Sequence, residues 1–207
     1  SVTIKSADAI DLRQLTTTGT AVVSITTENS DTADHITIGA SLDSNSTGAL
    51  TLTSNDDVLI SNALAHDGDI SIIAHGAENT TGTAGAGLLY GSGTITAGAA
   101  KALTLRGDVI GSDSSASSTL AVSSGSLNLN AGNSGNGAVK VTSASAIRLD
   151  TLTTTGSGVV GVTTTGGDIT LGNGSGTAIN NNGSGALTIT SAANVNVNEA
   201  VTHAGAV

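Results

Sequence analysis

An internal repeat constrains the fold of this chain more than any other feature of its sequence. Residues 2–28 match residues 139–165 at 15 of 27 positions, so the repeat offset is 137. The same offset relates residues 48–54 to 185–191, which agree at six of seven positions. Self-similarity at a fixed period is typical of repeat architectures. We therefore divide the chain into one long repeat, 2–138, and a partial second copy, 139–207.

A shorter period lies inside the long one. It consists of apolar pairs separated by one residue, the alternation expected of β-strands. The leading pairs are Val2/Ile4, Val23/Ile25, Leu50/Leu52, Ile70/Ile72, Ile95/Ala97, Leu120/Val122, Val139/Val141, Val160/Val162 and Leu187/Ile189. Because the first six intervals together equal the offset between Val2 and Val139, the spacing predicts six short coils per long repeat.

Most short units contain a second apolar pair and then a single apolar residue. The second pairs are Ile10/Leu12, Ile36/Ile38, Val58/Ile60, Leu103/Leu105, Leu127/Leu129, Ile147/Leu149, Ile169/Leu171 and Val195/Val197. Two strands and a short third side make a three-sided coil, and stacked coils bury what one coil cannot. We predict an all-β fold, a right-handed parallel β-helix (β-solenoid) of about nine coils of roughly 19–27 residues. Residues 1–207 would form one continuous segment of a longer chain.

The composition agrees with a thin interior. Tyr90 is the one aromatic residue, and Phe, Trp, Met, Cys and Pro do not occur. Val, Ile, Leu and Ala must then fill the core, whereas aromatic side chains usually supply the bulkiest contacts. Hydrophobic residues make up 38% of the chain and recur in short alternating clusters, which disfavours disorder. No window has helical apolar spacing, and β-branched residues dominate the predicted strands.

Charge narrows the classes of partner. The chain has 16 acidic and 6 basic residues, a formal charge of −10, which disfavours nucleic acid and anionic membranes. No apolar run reaches the roughly 18 residues of a membrane span, so we expect no membrane insertion. Without cysteine there are no disulfides or thiolate metal sites. The first residues have no signal-peptide pattern, so an export signal is expected outside this segment.

Polar insertions between the apolar pairs are predicted to be surface loops. Three lie at residues 30–35, 77–87 and 172–185, and the AGAGLLYG run at 84–91 is an apolar loop tip suited to lateral or ligand contact. The corners carry Gly, Asn, Asp and Ser, which favour turns.

Catalytic and metal sites are not predicted. Asp56–Asp57 is the one adjacent acidic pair, its counterpart is Ala193–Asn194, and we interpret it as a solvated corner rather than acid/base machinery. We expect no cofactor. Weak calcium sites at Asp31 with Asp34, or at Asp67 with Asp69, are less favoured than solvated turn acids. The histidines His35, His66, His75 and His203 lack zinc spacing, and the repeat offset brings His66 and His203 to one predicted structural position.

Two arrays of polar residues are predicted to lie on the surface. The outward row predicted for the leading strands is Thr3, Ser24, Thr51, Ser71, Thr96, Ala121, Lys140, Gly161 and Thr188. Lys140 and Gly161 interrupt it, so an ice-binding face is disfavoured. A second set of residues is predicted to point outward and to aid solubility: Asn128, Asn130, Asn194, Asn196 and Asn198.

Residues 48–76 and 185–207 carry a family resemblance. Both runs, GALTLTSNDDVLISNALAHDGDISIIAHG and GALTITSAANVNVNEAVTHAGAV, have an L-x-L strand, a short turn, a second strand and a small-residue turn before the next coil. This pattern resembles the haemagglutinin-type repeats of bacterial filamentous haemagglutinin and related large repetitive adhesins, and it covers nearly the whole chain. The resemblance implies export to the bacterial cell surface or beyond it, and adhesion or self-assembly as the task. It brings no active-site residues.

The sequence therefore predicts a structural or adhesive extracellular fibre segment and not an enzyme. Expected partners are other copies, end to end or laterally in fibres, and a host or neighbouring cell surface. A single-chain stalk and a filament subunit both remain open. A ligand- or ice-binding solenoid and a polysaccharide-active β-helix enzyme are the alternatives, and clustered carboxylates with aromatic platforms would be needed for the enzyme.

Overall fold

The computed structural model describes residues 1–28, 34–74, 87–111, 119–132, 136–175 and 179–207. These residues form 24 strands and no helix. The first twelve strands are β1 Val2–Ser6, β2 Ile10–Leu12, β3 Thr18–Gly19, β4 Val23–Thr27, β5 Ile36–Ile38, β6 Leu42–Ser46, β7 Leu50–Ser54, β8 Val58–Leu59, β9 Leu64–His66, β10 Ile70–Ala74, β11 Leu88–Tyr90 and β12 Thr94–Ala97. The others are β13 Ala102–Gly107, β14 Val109–Ile110, β15 Leu120–Ser123, β16 Ser126–Ala131, β17 Val139–Ser143, β18 Ile147–Thr154, β19 Val160–Thr164, β20 Ile169–Leu171, β21 Ile179–Asn181, β22 Leu187–Thr190, β23 Val195–Val197 and β24 Val201–His203.

The strands stack as the sides of a coil, and neighbouring strands are parallel. One sheet of nine strands, the first sheet, runs β1-β4-β7-β10-β13-β16-β18-β20-β23. A second sheet covers the other two sides of the coil. The second side is the row β2-β5-β8-β11-β14, and the third side is the row β3-β6-β9-β12-β15. Both rows end by pairing with β17, which also pairs with β19, and β19 pairs with β22. The predicted all-β solenoid is confirmed.

Backbone hydrogen bonds join each coil to the next, and the stacked strands are in register. Val23 lies opposite Leu50, and Leu50 lies opposite Ile70. The Val23 amide donates to Ala49 at 2.9 Å, so the ladder continues beyond the strand ends. Because the strands of one coil pair only with those of the neighbouring coils, an isolated coil would leave its backbone groups unpaired.

Alternation places the predicted apolar positions inside. In β4, β7 and β10, the first and third residues are fully buried and the residue between them is half-buried. Burying one Val, Leu or Ile stabilises the fold by roughly 1.5–3 kcal/mol. The same pattern of buried first and third residues holds in β17 and β19 of the second copy. The inward positions of the two copies are therefore equivalent.

The coil count is lower than the nine predicted. Nine strands stack in the first sheet, but β1 and β23 at its ends are each covered on one side only. Val2 and Ile4 are each 40% exposed, and Val195 and Val197 are 44% and 62% exposed. About seven turns lie between these end coils.

The stacking partner predicted for Ile70 is wrong. Ile70 and Ile72 of β10 lie opposite Leu103 and Leu105 of β13, whereas Ile95 of β12 lies opposite Leu64 of β9. The reason is that β11 forms the second side of this coil, so β12 is its third side and not the first side of a new coil. The apolar pairs were identified correctly, but their assignment to sides shifts after β10.

This shift changes the relation between sequence repeat and coil. In the first copy β1 lies in the first sheet. Its equivalent in the second copy, β17, lies in the second sheet, between β16 and β18 of the first sheet along the chain. Val139 lies opposite Ile110 of the second side and Val141 lies opposite Leu120 of the third side, so the stretch from Val2 to Val139 makes more than five turns and fewer than six. Equivalent residues of the two copies thus lie on different sides.

Two predicted loops contain strands. Ile179–Asn181, inside the supposed loop 172–185, forms β21 and pairs with β24. Leu88–Tyr90, the end of the supposed apolar loop tip, forms β11 between β8 and β14, with Leu89 fully buried. Residues 29–33 and 75–86, which include most of the other two predicted loops, lie outside the described residues.

Candidate functional site

The polar residues that recur in both copies sit at the corners between strands. His66 ends β9 and is 2% exposed. Its Nε2 lies 2.6 Å from the Gly48 carbonyl and its Nδ1 lies 3.1 Å from Ser44 Oγ. A carbonyl oxygen only accepts, so Nε2–H donates to Gly48 and, in the neutral ring, Nδ1 accepts from the Ser44 hydroxyl.

His203 makes the equivalent pair of contacts in the second copy. Its Nε2 lies 2.8 Å from the Gly185 carbonyl and its Nδ1 lies 3.0 Å from Asn181 Nδ2. The repeat offset also relates Gly185 to Gly48 and Asn181 to Ser44. The prediction that His66 and His203 share one structural position is confirmed. Each ring uses both nitrogens to join adjacent coils, which is a structural role.

A second corner, after the leading strand, is closed by hydroxyl groups. Thr27 Oγ1 and Ser54 Oγ each donate to the Asp34 carbonyl at 2.8 Å. In the second copy Thr164 Oγ1 and Ser191 Oγ donate to the Gly167 carbonyl at 2.7 and 2.9 Å. The sequence analysis did not predict these hydroxyl bonds. A Ser or Thr nevertheless stands two residues after the second member of most leading apolar pairs, as Thr27 does after Ile25.

Glycine is required where two corners touch. A Cβ on Gly68 would lie 2.0 Å from the Gly48 carbonyl oxygen of the coil below and 2.9 Å from His66 Nε2. The equivalent Gly205 would place a Cβ 2.4 Å from the Gly185 carbonyl. Both distances are far below van der Waals contact. The glycines and histidines therefore form one corner geometry that both copies share.

Corner aspartates accept amide protons from the next coil. Asp57 Oδ1 accepts from the Leu88 amide at 2.7 Å, Asp69 Oδ1 from Ala102 at 2.9 Å, and Asp168 Oδ1 from Asn194 at 2.9 Å. The fully buried Asp108 instead bonds to the preceding coil, where its Oδ2 accepts from the Gly87 amide at 2.9 Å. Charge-assisted bonds of this kind are stronger than neutral ones. Four of the 16 acidic residues thus join adjacent coils.

Asp57 is not the fully solvated corner that was predicted. Burial raises the pKa of Asp57 to about 6, against the lowering effect of the Leu88 amide, and the neighbouring Asp56 raises it further. The pKa of the exposed Asp168 is instead lowered, chiefly by the Asn194 amide. Asp56 and Asp57 remain the only adjacent acids, and Ala193 and Asn194 replace them in the second copy.

The candidate metal ligands do not converge in the described part of the chain. No group of three or more His, Asp or Glu suited to a metal ion occurs among those residues. Asp34 is buried at the hydroxyl corner, Asp67 and Asp69 are exposed, and His35 is half-buried near Asp57. Asp31 and His75 lie outside the described residues.

The outward threonine row differs from the predicted one. In the first sheet the row reads Thr3, Ser24, Thr51, Ser71, Thr104, Asn128 and Thr151. Lys140 and Gly161, which were predicted to interrupt it, stack on each other and on Thr188 in the second sheet. The next row in the first sheet includes Lys5, Ile73 and Arg106, so the face is not a uniform threonine array.

The outward asparagines are confirmed. Asn130, Asn194, Asn196 and Asn198 are exposed and Asn128 is half-buried. Val22 and Val159, equivalent residues just before a leading strand, are 46% and 62% exposed. Ala138, Lys140 and Gly161 form a shallow depression beside Val159. This depression is open to solvent, and Lys140 is the one charged residue among the described residues of its lining. It therefore lacks the converging polar groups that hold a small ligand.

The described residues contain no helix with the length and apolarity of a membrane span. No protein-family model, curated protein or solved structure matches this chain.

Proposed function

We propose that this chain is a structural segment of an extracellular fibre, either a stalk that carries an adhesive region or a subunit of a filament. The observation that carries the proposal is the stack of nine parallel strands whose side-chain corners recur at the repeat offset. Such a fold grows by adding coils and holds distant parts of a chain at a fixed separation.

The hydrogen bonds of the buried polar side chains support the proposal of a mechanically stable fibre segment. Among the described residues, no buried side-chain nitrogen or oxygen lacks a hydrogen-bond partner. Histidine, hydroxyl and aspartate side chains all bond from one coil to the next. An opening between coils would break these bonds together with the backbone ladder, so the stack resists local unfolding.

The surface supports the same proposal. The corner carboxylates are engaged with amides, and the outward positions are mostly Thr, Ser and Asn. Catalysis on a polysaccharide would need paired carboxylates and usually aromatic platforms. Export, cell-surface location and contacts with other copies or with a neighbouring cell are part of this proposal and agree with the resemblance to large repetitive adhesins.

Antibodies against the folded chain test the proposal on intact producing cells. We expect surface labelling on projecting filaments in electron micrographs, and loss of those filaments when Leu52→Asp is introduced in the producing strain. Thr51→Asp, one residue away and outward, is the matched control and should leave the filaments in place. Labelling that appears only after cell lysis would overturn the proposal.

Binding of a flat, periodic surface is the second candidate function. It is favoured by the outward row of Thr, Ser and Asn in the first sheet. Regular spacing of about 4.8 Å along this row suits a periodic target such as ice. Lys5, Ile73 and Arg106 interrupt the row beside it. An ice recrystallisation assay on the chain and on Thr51→Lys tests this candidate, and equal growth with and without the chain would exclude it.

A further inference from the structure

We infer that the repeat presents its surface in a different direction in each copy, so that one flat partner can engage only one copy at a time. The inference concerns the direction of the surface and does not depend on the proposed fibre role. It rests on the register of the strands, which is independent of what the surface binds.

Equivalent outward residues of the two copies lie in different sheets. Thr3 lies outward on β1 in the first sheet, and its equivalent Lys140 lies outward on β17 in the second sheet. The same change of sheet holds for β4 and β19 and for β7 and β22. Every leading strand of the second copy thus lies in the second sheet, away from the side that its equivalent occupies in the first copy.

The change is progressive and not a local distortion. The second strands of the second copy, β18, β20 and β23, occupy the first sheet, where the leading strands of the first copy stood. The third-side strand β9 has its equivalent in β24, which pairs with β21 outside both large sheets. The leading, second and third strands of the second copy therefore all differ in sheet from their equivalents in the first copy.

This advance determines how repeated surface features are distributed. The exposed Val22 and Val159 are one such pair, since they are equivalent but precede strands of different sheets. In further copies with the same geometry, an equivalent residue would face a new direction from one copy to the next. Such a rod offers the same surface to neighbours on all sides and suits a bundle of rods better than a single flat support.

Paired labels separate this arrangement from a repeat with a whole number of turns. Thr3→Cys is combined either with Lys140→Cys, the equivalent position, or with Thr151→Cys, which lies in the first sheet six strands away. All three residues are exposed, and the chain has no other cysteine. The axial separations are roughly 27 Å and 29 Å, so the two pairs differ mainly in the side that they face.

Each cysteine receives a nickel–nitrilotriacetate label on a short tether, and the rods bind a flat hexahistidine layer. The 3/151 pair should dissociate about 10²-fold or more slowly than singly labelled Thr3→Cys, because both labels engage together. The 3/140 pair should dissociate within about threefold of the single label. Equal residence times for the two pairs would overturn the inference, and matched thermal melting of both variants verifies that the fold is intact.

Discussion

The two copies of the repeat differ in what they keep and what they change. Inward residues, corner hydroxyls, His66/His203 and Gly68/Gly205 are retained, and the histidine and glycine contacts correspond position by position. Outward residues vary more, as Leu59 becomes Asn196 and Lys5 becomes Thr142. The retained set also functions on a different side of the coil in each copy. The fold is therefore specified by what each corner and inward position does locally, and not by the side on which it lies.

A buried charge should have the largest effect and should separate the copies. Leu52 is fully buried between two coils, whereas its equivalent Ile189 is only partly buried near the open end. Leu52→Asp should lower the free energy of unfolding by more than about 4 kcal/mol, because the carboxylate has no partner inside. Ile189→Asp should cost less than about 2 kcal/mol, since water reaches that site.

Chemical denaturation of both variants, with Thr51→Asp as the outward control, measures this difference. The control should change stability by no more than about 0.5 kcal/mol. Equal losses for Leu52→Asp and Ile189→Asp would mean that the last coils are as well covered as the middle ones, and the comparison of the two regions would fail.

The glycine corner should give the next largest effect. Gly68→Ala forces a methyl group against the Gly48 carbonyl, so the coils must separate there, at a cost of about 1–3 kcal/mol. Gly161→Ala is the matched control, because a Cβ at Gly161 has its nearest neighbour, the Val139 carbonyl oxygen, at 3.9 Å. The control should be neutral or slightly stabilising, since alanine restricts the unfolded chain. Thermal melting that ranks the two variants in the opposite order would contradict the close approach.

The inward positions were predictable from the sequence because alternation with a period of two is a local property. Leu50 and Leu52, or Val160 and Val162, are inward whichever side their strand occupies. The side itself was not predictable in the same way. It depends on whether Leu88–Tyr90 forms a strand after an insertion, and a single missed side rotates every later coil by one side.

The corner chemistry was only partly predictable. The spacing of His66 and His203 indicated one shared position, but not that each ring bonds to a glycine carbonyl of the coil below. The burial of Asp57 could not be read from its neighbours in sequence, because the amide that it binds belongs to the distant Leu88. Contacts between coils are long-range, and the intervening loop length determines which residues meet.

The histidine corner should have an intermediate effect that differs between copies. His66→Ala leaves the Gly48 carbonyl without its histidine donor, while the Ser44 hydroxyl keeps only its bond to Thr17 Oγ1, and the loss costs about 1–3 kcal/mol. His203→Ala should cost less, because His203 is half-buried at the open end. Thermal unfolding followed by circular dichroism compares them. If His203→Ala is the more damaging change, the end coil carries more of the stability than its exposure indicates.

The smallest expected effect is the pH dependence contributed by Asp57. Burial raises its pKa to about 6 in the folded chain, above the usual value near 4 in an unfolded one. The folded state therefore disfavours the ionised carboxylate. The contribution of Asp57 to stability is most favourable below about pH 4 and is lost as the pH rises through 6.

Asp57→Asn removes this titration while keeping a side chain that the second copy already uses at the equivalent Asn194. The unfolding free energy of the unmodified chain, measured by denaturation at pH 4.5 and pH 8, should fall more steeply with rising pH than that of Asp57→Asn. The difference between the two chains isolates Asp57, because every other ionisable side chain is the same in both. Parallel pH profiles would show that Asp57 titrates like an exposed acid, and the two copies would then differ at this corner in charge alone and not in burial.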